Sequence, residues 1–502
     1  MAGWPPRPHV FFSAMATLEQ LRFDNTYARL PAGFGARVQP SPFPDAKWAS
    51  INPAALKLLD LTPEEAQRPE LVAALGGAQP LPGMEPFAMV YAGHQFGVYV
   101  PRLGDGRAIL LGEVRNAAGE KWDLHLKGGG PTPFSRGGDG RAVLRSTIRE
   151  YLCGEAMHGL GIPTTRGLGI LGSHTPVHRE AVETGAMLVR MAPSHVRFGT
   201  FEFFHYTEQK EHVATLADHV ITGNFPHLAG QEGRFARFYA EVVERTARLI
   251  AQWQAVGFAH GVLNTDNMSI LGLTLDYGPF GFMDDFEPGF ICNHSDDRGR
   301  YAFDQQPRIG MWNLACLGEA LLTLISEDEA RAALGTYQPA FSAHFMDLMR
   351  AKLGLREARD EDRELVSDLF ARMAEARVDY TRFFRALGGL ASGDSAGPSP
   401  VRDMFTAPEG FDAWAARYRA RLAAEGSVDA ERRARMDRVN PKYVLRNWVA
   451  QEAISRAEAG DFSVVDRLLG VLADPFAEHP DAEPYAAAPP VWGRHLAVSC
   501  SS

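Results

Sequence analysis

The strongest periodic signal in the chain is helical. Phe235, Phe238, Tyr239, Val242, Thr246, Leu249, Ile250 and Trp253 recur at three- and four-residue steps. That spacing predicts one apolar stripe along a long helix, stopped by Gly257. A second stripe, Val366, Leu369, Phe370, Met373, Tyr380, Phe384 and Leu387, is interrupted only by Arg377, and the chain beyond about Asn313 reads as mostly helical. Earlier, alternation replaces this period. Phe87–Val90, Gly97–Val100, Ala108–Val114 and Trp122–Lys127 read as strands, parted by the turns Leu103-Gly-Asp-Gly106 and Asn116-Ala-Ala-Gly119. Arg141 to about Leu160 predicts a helix halted by Gly159, Gly161 and Pro163, with strands resuming near Gly167–Leu171 and Ala186–Met191. Residues 1–85, rich in Pro and Ala, read as helices and loops; 388–400 read as a flexible linker, and the tail from Pro480 as extended.

Composition narrows the class. The 502 residues are 45% hydrophobic and 22% charged with a formal charge of −10, an ordinary globular balance without the basic surplus that a nucleic-acid partner requires. No apolar run is long enough to span a bilayer, and the N-terminus fits neither a signal nor a transit peptide. The expected compartment is the cytoplasm, and Met15 is a second candidate start. The four cysteines are too scattered for a disulfide scaffold or a zinc site. Cys153 and Cys316 sit in helical patterns and are expected to be buried; Cys500, three residues from the end, has no packing rationale.

The long helix leads straight into His260-Gly-Val-Leu-Asn-Thr-Asp-Asn267, followed nine residues later by Asp276-Tyr-Gly278. Protein kinases place a metal-binding Asn seven residues after such a His and a second metal ligand in their D-F-G motif. Here Asn267 and Asp276 hold those places, Val262 replaces the kinase base, and an acid appears instead at Asp266. His260 is expected to serve as a structural hydrogen-bonder. Oxygen ligands of this kind suit Mg²⁺ bound together with phosphate. Upstream, Lys127 ends an alternating strand and shares a face with Asp123 and His125; a loop with six glycines in residues 128–140 follows, and then a helix carrying Glu150. Kinases hold phosphate with such a strand Lys and helix Glu. Weaker signals remain open. Gly104-Asp-Gly106-Arg107 fits a phosphate-covering loop or a plain hairpin turn, and Asp139-Gly140 a nucleotide contact or a helix N-cap. Arg190 and Arg197 fit phosphate or, more simply, an ordinary surface. His174 and His178 have zinc-helix spacing, but Pro176 lies between them.

Longer runs carry a more specific resemblance. Tyr91-Ala-Gly-His-Gln-Phe-Gly97, Leu126–Arg136, His260–Gly272, Asp276–Asp284, Asn440-Pro-Lys-Tyr-Val-Leu-Arg-Asn447 and the terminal Cys-Ser-Ser resemble the selenoprotein O family, known in bacteria as YdiU, across nearly the whole chain. Cys500 stands where some members carry selenocysteine. The resemblance implies an α+β, protein-kinase-like two-lobed fold that binds ATP in a flipped orientation. It implies transfer of AMP to Ser, Thr or Tyr hydroxyls of protein substrates, with UMP from UTP and Mn²⁺ as alternatives to AMP and Mg²⁺. Under it, Asp266 matches the catalytic base, and Asn267 and Asp276 the metal ligands. Gly104, Gly106, Arg107, Lys127, Asp139, Gly140, Arg190 and Arg197 match nucleotide-contacting positions, and Glu150 the ion-pair partner of Lys127. The expected segments are an N-terminal wrap at 1–85, an N-lobe at 86–200, a C-lobe at 201–340, a helical extension at 341–485 and a tail at 486–502. A redox pair between Cys292 and Cys500 completes the expectation. The rivals are a phosphotransferase acting at the γ-phosphate and a non-catalytic nucleotide-binding scaffold.

Overall fold

A computed structural model describes residues 15–393, 399–494, 496 and 498. Its centre is a largely antiparallel sheet of nine strands. These are β1 (Arg22–Phe23), β2 (Gly35–Arg37), β3 (Lys47–Ile51), β4 (Phe87–Met89), β7 (Ala108–Arg115), β8 (Lys121–Lys127), β9 (Ala142–Val143), β10 (Arg166–His178) and β11 (Val182–Ala192). The main path runs β2-β4-β7-β8-β11-β10-β3, with β1 on β7 and β9 on β11. Two short strands, β5 (Gly93–Gln95) and β6 (Val98–Val100), form a separate hairpin.

The first 85 residues are more than a wrap of helices and loops, because β1, β2 and β3 are built into the sheet and β3 closes one edge against β10. That pairing joins chain ends over a hundred residues apart, which local alternation does not reveal. Alternation does decide the faces of β8. Leu124 and Leu126 bury with Leu56, Leu59 and Leu71 of the N-terminal helices, as one apolar cluster. Asp123, His125 and Lys127 take the other face, with His125 opposite Arg190 in the β11 register.

Helix α1 (Leu144–Gly159) starts later than the pattern suggested, because Ala142–Val143 pair with β11 and Val143 is the N-cap. Asp139 therefore caps no helix; its carboxylate accepts from the Arg141 amide at 2.9 Å and pairs with Arg179. After α2 (Phe198–Tyr206) comes α3 (Arg234–Val256), whose stripe of Phe238, Tyr239, Val242, Leu249, Ile250 and Trp253 is almost wholly buried. Each such side chain contributes about 1.5–3 kcal/mol of hydrophobic stabilisation. Gly257 ends α3 in the left-handed region at φ 72, where a Cβ would stand 2.9 Å from the Tyr380 ring.

Immediately afterwards β12 (Phe258–Ala259) pairs with β13 (Gly281–Phe282), so the loop between them, residues 260–280, is tied at its base. The chain then enters α4 (Gln306–Ala320) and a helical remainder with its own core around Met349, Leu369, Phe383, Trp414 and Tyr418. The second predicted stripe is two helices, Asp362–Ala376 and Tyr380–Leu387, because Arg377 takes a left-handed conformation at φ 51. The tail from Pro480 is partly 3-10 helical at Pro480–Ala486 and Val491–Gly493. His174 and His178 lie on β10, which removes the helical zinc pair. Among the described residues no helix is long and apolar enough to cross a membrane.

Candidate functional site

A cleft of about 790 Å³ opens between the sheet and the 260–280 loop. Its lining gathers Gly104, Gly106, Arg107, Lys127, Asp139, Gly140, Arg190, Arg197, Asp266, Asn267 and Asp276 from six separate stretches of chain. A second groove of about 690 Å³ lies along Arg115, Lys121, Trp122 and His219 and shares none of these residues.

The floor is a compact charge network. Lys127 is ion-paired with Glu150 of α1, the strand–helix pair anticipated from spacing. Glu150 also accepts from Arg190 at 3.0 Å. Arg190 reaches on to one oxygen of Asp276 at 2.5 Å, and Arg197 pairs with the other. The two arginines are only 2% exposed, so the ordinary surface reading fails for both. Burial alone would raise the Asp276 carboxyl, but Arg197, Arg190 and Lys127 outweigh it and hold the group well below the usual range. Burial likewise pushes Lys127 down, opposed by Glu150.

Beneath this network lies a polar string that motif reading did not find. Arg190 Nε donates to His125 Nδ1 at 3.0 Å, which leaves the proton on Nε2 for Asp105 Oδ2 at 3.1 Å. His195 stacks on His125 with ring centres 4.4 Å apart, and burial lowers its pKa to about 4. Both rings are neutral supports. Tyr91 completes the wall by placing its ring 4.7 Å under the Arg197 guanidinium. The alternation Asp123-x-His125-x-Lys127 was the available signal for part of this string; nothing local pointed to Asp105.

The glycines of the roof have packing reasons. A Cβ on Gly104 would meet the Phe134 ring at 2.7 Å, and one on Gly106 the Phe134 carbonyl oxygen at 2.9 Å. Thr132 Oγ1 donates to the Asp105 carbonyl at 2.6 Å, joining the turn to the glycine-rich loop. Gly140 sits at φ 66 with the Gly130 carbonyl 2.0 Å from any added Cβ. The two loops are thus one layered unit.

On the opposite wall, Asp266 lies in a 3-10 turn, Thr265–Asn267, and its own carbonyl accepts from Arg197 at 2.7 Å. Its Oδ2 accepts from Gln95 Nε2 at 3.2 Å, while Oδ1 is buried with no hydrogen-bond partner among the described residues. Burial raises the carboxyl to about 7, with Gln95 and Arg197 opposing. Asn267 donates its amide nitrogen to the Val262 carbonyl at 2.9 Å, which leaves Oδ1 as its ligand atom. Asn267 Oδ1 and the Asp276 carboxylate make a hard-oxygen donor set that fits a divalent cation carrying phosphate. For Asp276 to act so, its oxygens must be shared with or released by the two arginines. His260 is a structural hydrogen-bonder, buried with Nε2 on the Leu275 carbonyl at 2.9 Å.

Two other clusters stand outside the floor. His94, Glu202 and Cys316 bring donor atoms within 4.8 Å of one another. Glu202 is already satisfied there by His94 at 2.6 Å and by Thr265, and burial keeps the Cys316 thiol high, at about 12, so the cluster is a hydrogen-bond hub. Cys153 and Cys316 are buried as expected. Cys292 is buried with Sγ 3.5 Å from the Ala259 carbonyl; Cys500 lies outside the described residues. Nearby, the carbonyl of Val498 in the tail accepts from the His294 amide at 2.9 Å.

The family model described as protein adenylyltransferase SelO matches residues 17–473. A protein nucleotidyltransferase YdiU of Myxococcus xanthus (strain DK1622) is 91% identical over 488 residues, 97% of this chain and 100% of the relative. Proteins of the same name from Thioalkalivibrio sulfidiphilus (strain HL-EbGR7) and Pseudomonas fluorescens (strain Pf0-1) are 60% and 54% identical, each again over 97% of this chain and their full length.

Proposed function

Because the chain belongs to the SelO family of protein nucleotidyltransferases, we propose that it transfers AMP from ATP, with UMP from UTP as the alternative, to Ser, Thr or Tyr hydroxyls of protein substrates. The observation that carries this reading is the cleft itself. Arg190 and Arg197 converge on one carboxylate, Asp276, Lys127 joins them through Glu150, and Asp266 stands on the facing wall with no cationic side chain among the described residues bonded to its carboxylate oxygens. Two buried arginines and the half-buried Lys127 form a pocket for the terminal phosphates of a triphosphate inserted γ-end first. That orientation presents the α-phosphorus outward.

The reaction then needs one proton acceptor and one leaving group. The acceptor hydroxyl oxygen bonds to the α-phosphorus, the bond between the α-phosphorus and its bridging oxygen breaks, and pyrophosphate departs. The hydroxyl proton passes to Asp266. Lys127, Arg190 and Arg197 orient the phosphates and carry the charge that grows on the departing pyrophosphate. A divalent cation, Mg²⁺ or Mn²⁺, held by Asn267 and Asp276, would supply further neutralisation at the α-phosphate. Gly104, Gly106, Arg107, Asp139 and Gly140 line the roof against which the nucleoside end would rest.

The strand-to-helix Lys–Glu pair, the long helix feeding the 260–280 loop and the order of these parts support a kinase-like two-lobed fold, with lobes at 86–200 and 201–340. The Val498–His294 hydrogen bond supports a redox latch between Cys292 and Cys500. Thiol labelling under oxidising and reducing conditions checks it, and unchanged reactivity of both residues would remove it.

ATP labelled at the α or the γ position tests the main reading. Protein label is expected from the α position only. Label from the γ position alone would make the chain a kinase, and label from neither would leave a scaffold.

A further inference from the structure

The Tyr91–Gly97 run plays no part in the chemistry just described beyond Tyr91, yet it lies directly on the catalytic loop. Strand β5 and the residue after it hold three consecutive loop side chains. The Phe96 amide donates to Asn264 Oδ1 at 3.3 Å, the His94 amide to Thr265 Oγ1 at 2.7 Å, and Gln95 Nε2 to Asp266 Oδ2 at 3.2 Å. His94 is itself anchored through Nδ1 on Glu202, which also holds Thr265. The approach is close because position 93 has no side chain: a Cβ there would stand 2.6 Å from Asp266 Oδ1.

Gly93 therefore seals one oxygen of the carboxylate, and Gln95 occupies one lone-pair direction of the other. We propose that Gln95 is a positioning residue for nucleotidyl transfer: its carboxamide fixes the Asp266 carboxylate so that the remaining lone pair of Oδ2 faces the acceptor hydroxyl. The role rests on reading Asp266 as the proton acceptor. Packing against Gly93 limits the carboxylate sterically, and among the described residues Gln95 is the one side chain that fixes it by a hydrogen bond. Neutrality of the donor matters as well. A lysine here would form an ion pair and weaken the base, whereas an amide orients it without a full charge.

The test compares Gln95→Met, which keeps length and removes the donor, with Gln95→Glu, which keeps shape and sets one carboxylate against another. Transfer from α-labelled ATP to lysate proteins gives the rate at saturating ATP and the KM for ATP. Binding of a non-hydrolysable ATP analogue and the thermal midpoint are measured in parallel. Both variants are expected to lose about 10²-fold in maximal rate, the scale of a misplaced reacting group, with KM and analogue affinity unchanged; the midpoint should hold in Gln95→Met and fall in Gln95→Glu, where two carboxylates face each other. Gln95→Asn, one methylene short, should fall similarly and serves if Gln95→Met does not fold. Gln95→Met at wild-type or higher rate overturns the proposal, and so does a loss confined to KM. Asp266→Asn separates the two layers: if it stays active, the reading of Asp266 fails and takes this one with it. If it is dead while Gln95→Met is fully active, only the role of Gln95 fails.

Discussion

Asp266 carries two opposite consequences of burial. Its carboxyl is raised to about 7, so the nucleotide-free protein binds a proton there that the unfolded chain releases near its ordinary value. Activity that needs the carboxylate should therefore fall as pH drops through about 7, read from initial rates of α-label transfer between pH 5.5 and 9. The stability effect has the reverse sign. Folding favours the protonated form, so stability contributed by this site is present below the unfolded pKa and is lost as pH rises towards 7. Asp266→Asn, which is neutral at every pH, should abolish transfer yet raise the thermal midpoint at pH 8, by on the order of 1 kcal/mol or more of stability. Glu150 behaves differently, because it anchors Lys127 and Arg190 at once. Glu150→Ala leaves the buried Arg190 and the half-buried Lys127 each short of a partner and should cost about 3–5 kcal/mol in a urea titration, along with nucleotide affinity.

At the scale of elements, much of this arrangement was legible and some was not. The stripe of α3 and the alternation of β8 follow from burial periods that operate within one element, so Phe238, Trp253, Leu124 and Lys127 lie on the faces their spacing required. The 260–280 segment was legible for another reason: its motif restricts residue type as well as spacing, and the fold brings Asp266, Asn267 and Asp276 into one cleft. What stayed hidden depends on partners far away in sequence. Nothing near Trp48 announces that β3 will close the sheet against Leu171, and nothing near Asp105 announces His125. Val143 entered a strand bridge because Gly185 was opposite it, overriding the cap that Asp139-Gly140 suggested. Arg377 breaks a helix through its own backbone conformation, which an apolar count cannot register. Helix contacts give one direct check. A Cβ at Gly159 would lie 1.9 Å from the Leu472 carbonyl, where α1 meets the helix Ser463–Ala473. Gly159→Ala should force these helices apart and destabilise by about 1–3 kcal/mol in chemical denaturation.

For the whole molecule, the decisive joint is Arg446. Almost fully buried, it pairs with Asp284, at 2.5 Å, and with Asp379, at 2.8 Å. Asp284 closely follows the Asp276 segment, and Asp379 caps the helix Tyr380–Leu387. The same region is stitched by backbone bonds from Phe286 to Val378 and from Tyr380 to Asp284. The helical remainder is thus locked to the chain that carries the candidate metal ligand. Arg446→Met should lower stability by about 3–5 kcal/mol, since two carboxylates lose their counter-ion. Its mark beyond simple weakening would be earlier proteolysis around residues 284–290 than in the Glu150 variant.

The double embrace of Asp276 by Arg190 and Arg197 reaches further than stability. A cleft whose arginines are already neutralised by Asp276 offers little net pull on a lone anion. Inorganic phosphate or sulfate would have to pry both guanidinium groups from their carboxylate while leaving that carboxylate bare. A triphosphate arriving with its cation meets no such obstacle, because each newcomer takes the partner the other one frees. Under the proposed function, such a cleft favours the complete ligand pair over common anions, because only the pair satisfies both the guanidinium groups and the carboxylate.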